Sequence, residues 1–189
     1  MPGPKTAAIS RDLSAERGTN FMLIAHLPAG FILGTLARHW TGNARAIMPA
    51  ALLGSVAPDL DMFYFYLVDG QQTHHHGYFT HWPLFWLALG SVVLPLVRWL
   101  WPRFVSAAVV FFIAVMFHMV LDSIAAPMHW LMPFSDVAVE LVTIPARYSH
   151  WVLSFVLHWT FALEITICAW AGFLGIKQSR QRKLHESRA

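Results

Sequence analysis

Histidines and aspartates recur at short spacings in a chain that is otherwise oily. Between Ala51 and Asp122 stand Asp59, Asp61, the run His74-His75-His76, His81, His118 and Asp122, and His26 precedes them in the first apolar stretch. Imidazoles and carboxylates are the side chains that hold Zn²⁺ and similar divalent ions. An ionisable group in a membrane-type segment costs roughly 2.5–3.5 kcal/mol on insertion scales, which makes each one a functional-site candidate. His118-x-x-x-Asp122 is an i,i+4 pair. On a helix both side chains leave one face about a turn apart and could grip one metal or two adjacent ones. Pro58-Asp59-Leu60-Asp61 sets two carboxylates behind a helix-breaking proline. Residues two apart on a helix diverge by about 200°, so one carboxylate could face a metal while the other orients a ligand.

The window Thr73 to His81 is the densest in histidine. One or two of its first three histidines, His75 or His76 foremost, are expected as ligands, and His81 as a ligand or proton-transfer group. Gly77 lets the loop turn back. His158 has no partner at ligand spacing, and His39, His129, His150 and His185 read as surface residues. Glu164, in the middle of an apolar run, is expected to hydrogen-bond within the bundle. Cys168 reads as a packing residue.

These groups need elements to position them. The chain has 189 residues, 57% hydrophobic and 12% charged, against about 25% charged in soluble domains, so lipid is the expected solvent. Five apolar stretches approach the ~20 residues that cross a bilayer: Asn20–Ala37, Ala46–Leu67, Trp82–Leu100, Phe104–Ala126 and Val152–Ile176. The expected fold is an all-α, multi-pass bundle of about five spans. The first span, interrupted by Pro28 and Gly30, is open to a re-entrant path. Residues 1–19 read as a polar tail, 20–176 as one membrane domain and 177–189 as a basic cytoplasmic tail. Trp40, Trp82, Trp99, Trp101, Trp130 and Trp151 read as interfacial aromatics. The first apolar run lacks a small-residue cleavage site and is expected to be retained.

Charge orients the bundle. A C-terminus inside and an N-terminus outside place Arg38, Arg45, Arg98, Arg103, Lys177, Arg180, Arg182, Lys183 and Arg188 on the cytoplasmic side and leave Lys5, Arg11, Arg17 and Arg147 outside. All the candidate ligands then converge on the outer face. The basic tail suits anionic lipid better than nucleic acid.

The arrangement resembles the YdjM-like family of predicted membrane-bound metal-dependent hydrolases. The matching pieces are His26, the Pro58-Asp59-x-Asp61 step, the His76…Thr80-His81 loop, His118-x-x-x-Asp122 and Trp130-Leu131-Met132-Pro133-Phe134-Ser135. The family looks distantly related to the all-α zinc phospholipase C and P1-nuclease group. That resemblance implies His26, His76, His118 and Asp122 as ligands, with an aspartate of the Pro-Asp-x-Asp step as ligand or general base. Here the usual His-Arg-Gly-x-Thr-His run has one extra residue before Thr80 and lacks its arginine.

The expected function is a cell-membrane hydrolase with one to three divalent ions, zinc first, near the outer interface. It would cleave a phosphoester of a lipid or lipid-like substrate with metal-activated water, Asp59 or Asp61 orienting that water or taking its proton. A carrier of metal ions or protons is the first alternative, since intramembrane His and Asp also make ion paths. A haem held by His26 and His118 is the second. The bilayer is the expected partner.

Overall fold

Proline and capping residues decide which apolar stretches become straight helices. The computed structural model describes residues 23–38, 44–70, 75–145, 147–148 and 151–187. Their regular structure is helical, with one isolated β-bridge between Met128 and Val139. The helices are α1 (Leu23–Ala37), α2 (Ala44–Val56), α3 (Asp61–Leu67), α4 (Pro83–Leu100), α5 (Val105–Asp122), α6 (Trp151–Val156) and α7 (Trp159–Glu186). Single 3₁₀ turns lie at Pro58–Leu60, His75–Gly77, Phe79–His81 and Pro102–Phe104.

Among the described residues three helical segments are long and apolar enough to cross a bilayer: Pro83–Leu100, Pro102–Asp122 and Trp159–Glu186. A fourth arises if the bent pair Arg45–Val56 and Pro58–Leu67 is one span. The expected five spans are therefore too many. As described, α1 has 15 residues, about 22 Å of helix against a hydrocarbon core of about 30 Å. The second expected span turns by 57° at Pro58, whose ring lacks an N–H and crowds the preceding turn. The fifth is interrupted at His158, which takes an extended conformation (φ −87°, ψ 150°) and whose side chain accepts the Thr160 N–H at the start of α7. From there α7 runs past Ile176 to Glu186, so most of the expected tail is helical.

Small residues set the register. A Cβ on Gly30 would overlap the Ser55 hydroxyl, and one on Gly54 would overlap the Phe111 carbonyl oxygen. Gly30 meets Ser55 and Ala51 while Gly34 meets Met48, so α1 and α2 run antiparallel. On the other side of α2, Ile47 and Ala51 pack with Ala107 and Val110 of α5, and Gly54 meets Ala114. Those two helices run in the same direction. Cys168 Sγ approaches the Ile24 carbonyl and Gln178 Nε2 donates to Thr35 Oγ1, so α1 and α7 also run together.

The bundle thus has two distinct ends. One carries His26, Ser55, Asp122 and the start of α7, and the other carries Arg38, Arg45, Arg98, Arg103 and Lys177. On α4 and α7 large apolar side chains face outward, Trp99 at 77% and Phe173 at 63% exposed. A bundle with its oily side out is built for lipid.

Candidate metal centre

The break at Pro58 organises the site. One turn before it, the Ser55 carbonyl accepts a hydrogen bond from His118 Nδ1–H at 2.8 Å. A carbonyl cannot donate, so Nδ1 carries a proton, and Nε2 is the nitrogen turned inward, where its lone pair could hold a metal. One residue after Pro58, Asp59 turns into the same space, its Oδ1 3.6 Å from His118 Nε2 and 3.7 Å from His81 Nε2. Asp61, on the diverging face, stands behind His81 and accepts from His81 Nδ1–H at 2.6 Å and from the Thr80 hydroxyl at 2.5 Å. This is the carboxylate–histidine arrangement that orients metal ligands.

The loop before α4 is pinned by its own aromatics. Trp82 Nε1–H donates to the Gly77 carbonyl at 3.2 Å and Trp86 Nε1–H to the Thr80 carbonyl at 2.7 Å. These bonds fix the two 3₁₀ turns that bring His76 and His81 under the bundle. Trp82 therefore has a structural task beyond the interfacial role expected for it. Trp130 likewise donates to Ser123 Oγ at 2.9 Å, tying the following loop to the end of α5.

From the last turn of α5, Asp122 completes the centre. Its Oδ2 lies 3.0 Å from His118 Nε2, 3.8 Å from His76 Nε2 and 4.0 Å from His81 Nε2, and its Oδ1 lies 3.1 Å from His26 Nε2. The His26 and His118 rings stack at 3.8 Å between centroids. Three sets of ligand atoms each fall within 4.8 Å of one another: His26, His118, Asp122; Asp59, His81, His118; and His76, His81, Asp122. For metal–ligand bonds of about 2.0–2.2 Å, a tetrahedral edge is about 3.4 Å. The observed separations straddle that value. Asp59 Oδ2, Asp122 Oδ2 and His118 Nε2 are buried without a directed hydrogen bond among the described residues. Buried acceptors in that condition are costly unless something electropositive sits between them. The residues fit a divalent cation.

His81 lies outside the membrane-spanning segments. Burial alone lowers the pKa of its imidazole, but hydrogen bonds to Asp59 and Asp61 outweigh this and raise it to about 9. In the metal-free chain the ring keeps both protons, one toward each aspartate.

Of the candidates read from the sequence, His26, Asp59, His76, His81, His118 and Asp122 come together. Asp61 does not face the centre, and its part is to hold His81. His74 lies outside the described residues, as does the side chain of His75. His39 and His150 are also outside, and His129 and His185 belong to none of the ligand sets. Glu164 departs from its expected role. It is buried on α7, yet neither carboxylate oxygen has a hydrogen-bond partner among the described residues. Sequence reading missed the Ser55 carbonyl, because a backbone acceptor carries no residue-type signal. It also missed the Trp82 and Trp86 anchors, although their i,i+4 spacing directly after His81 was visible.

Over residues 22–183 the chain matches the model of the YdjM inner membrane protein family. The chain belongs to that family. No curated protein and no solved structure matches it. The family description and the apolar helices agree on a membrane protein, here one carrying a buried His/Asp cluster able to hold metal.

Proposed function

We propose that this YdjM-family protein is a membrane-embedded, metal-dependent hydrolase that cleaves a phosphoester of a lipid or lipid-like substrate. One observation carries the reading: five buried ligand side chains and the half-buried Asp59 converge from distant parts of the chain, with two imidazoles held so that Nε2 points inward. A divalent ion, zinc by donor type, supplies Lewis acidity there and makes water a stronger acid. The bond type is an analogy, taken from the resemblance of the sequence motifs to zinc phosphoesterases alone.

The donor set limits how many ions are held. His118 Nε2 and His81 Nε2 each have one lone pair, so sets that share either ring are alternatives. The sets His26–His118–Asp122 and His76–His81–Asp122 share only a carboxylate, whose two oxygens can bridge. These residues would therefore hold one ion, or two that share Asp122. In the two-ion arrangement Asp59 is free to orient the attacking water and take its proton. Asp59 is also the most accessible member, its side chain 12% exposed against 0–3% for the histidines and Asp122. Exposed Leu60 and Phe63 flank it, an approach suited to an amphipathic substrate.

The basic end then faces the cytoplasm and the centre faces outward, with the N-terminus outside if α1 crosses. A carrier would need ligands spread through the membrane depth, and these gather at one end. Asp59→Asn is the test of the chemistry. Turnover of phospholipids or prenyl phosphates in mixed micelles should fall by about 10²–10⁴-fold while metal content holds. Wild-type protein that is metal-loaded and inert on every phosphoester would overturn the hydrolase reading.

A further inference from the structure

Among the described residues, Glu164 is the one buried acid that the centre, as described so far, does not use. It faces a small cavity between α1, α5 and α7, lined by Ala25, Leu121, Ile124, Thr160, Leu163 and Ile167. Ala25 and Leu121 are the chain neighbours of His26 and Asp122, so the cavity lies beside the helix turns that carry that pair. Its volume of ≈ 10 Å³ is about what one water position needs. A carboxyl group placed in a membrane helix with no partner among the described residues is expensive to keep unless it functions.

A second polar wall extends the line. Thr160 is one helical turn before Glu164 on the same face of α7 and is buried in the same cavity. Its Oγ1 lies 3.0 Å from Nδ1 of His158, which is half-buried at the elbow between α6 and α7. The titratable groups around Glu164 are Asp122 on α5, His26 on α1, and Cys168 and His158 along α7. Elsewhere the cavity wall is aliphatic.

We propose that Glu164 is the proton-transfer carboxyl of the centre, connected to the His26–Asp122 pair through the water-sized cavity and to the surface through Thr160 and His158. A proton released at the cluster joins the cavity water, and that water gives one of its own protons to a Glu164 carboxylate oxygen. The acid then returns the proton past Thr160 to His158, and the water and carboxylate are restored. The proposal rests on the metal-centre reading, and the experiment separates the two.

Zn²⁺ is added to detergent-purified, metal-free protein while a pH indicator follows proton release and elemental analysis follows metal content. Glu164→Gln should keep wild-type zinc stoichiometry and slow proton release by roughly 10-fold or more, toward the 10²–10⁴-fold expected for loss of a positioned acid–base group. Glu164→Asp should restore part of the rate, and Thr160→Val should slow it. Infrared spectra identify the Glu164 carboxyl stretch by its loss in Glu164→Gln, and that stretch should shift in Asp122→Asn without any metal. Proton release at the wild-type rate in Glu164→Gln would overturn the proposal. Zinc lost from Glu164→Gln would make Glu164 a ligand, which also overturns it. If wild-type protein takes up no zinc, the metal reading falls, and an Asp122→Asn spectrum with the stretch unmoved would remove the relay as well.

Discussion

At one end of this bundle most of the ionisable side chains point inward, and at the other most point outward. His26, His76, His81, His118 and Asp122 are all buried, whereas Arg45, Arg98, Arg103, Arg180 and Lys183 are exposed. Apolarity alone does not explain the difference, since Arg98 lies on α4, which is nearly as apolar as the helices that carry His26 and His118. Support does. At the inward end two of the six candidate ligands are held by a further layer of groups: Ser55 holds His118, Asp61 holds His81, Thr80 holds Asp61, and Trp86 holds the Thr80 backbone. At the outward end the surface groove along Gly172, Gly175 and Ser179 of α7 is open. A membrane protein spends polar burial where chemistry needs it and leaves its remaining charge to water and headgroups.

The largest effect should come from removing an inward group that has no substitute. His118→Ala or Asp122→Ala takes away a member common to two of the three ligand sets. Bound metal should drop to near background by elemental analysis of purified protein. Arg180→Ala or Lys183→Ala at the opposite end should leave metal content unchanged. Equal metal content in both groups of variants would erase the distinction between the ends.

A smaller effect is expected one layer out. Asp61→Asn keeps the size of the side chain and an acceptor for His81 Nδ1–H but loses the charge that anchors the ring. Metal affinity should fall by about 10–100-fold, the usual consequence of disturbing a group that orients a ligand. Stoichiometry at saturating metal should survive. Loss of stoichiometry together with affinity would mean that Asp61 reaches the metal itself.

The two ends were unequally legible in the sequence. The parity of His26, Asp59, His118 and Asp122 across the apolar stretches anticipated that they meet at one end of the bundle, and the charge run Lys177 to Lys183 that basic residues gather at the other. Parity survives an error in span number as long as the broken elements still return to the same side. The errors were local. Hydropathy cannot distinguish a straight span from one bent at Pro58, and it passed over the break at His158 because the flanking residues are equally apolar. Which aspartate faces the metal was left open by the two-residue spacing. The 3₁₀ turn at Pro58–Leu60 directs Asp59 toward His81 Nε2 and His118 Nε2 and leaves Asp61 on Nδ1 of His81. Glu164 was noticed as a charge without a reason, and its cavity is formed by three helices that are distant in sequence.

The mildest effect is a dependence on pH. The imidazole of His81 is raised to about 9 because Asp59 and Asp61 hold its protons. A ligand must be deprotonated to bind metal, so uptake through Nε2 releases a proton at any pH below about 9. Affinity for Zn²⁺ should therefore climb by about tenfold per pH unit for this one proton as pH rises toward that value, and then level off. The metal-free fold should respond with the opposite sign. A folded-state pKa above the ordinary ~6.5 of histidine stabilises the fold below that value, and the stabilisation is lost as pH rises through about 9. Zinc competition titrations at several pH values would measure the first, and thermal melts of metal-free protein over the same range the second. In Asp61→Asn, with half of the clamp removed, both slopes should move to lower pH. If that variant titrates like the wild type, Asp61 does not set the protonation of His81, and the supporting network at the inward end would have a purely steric role.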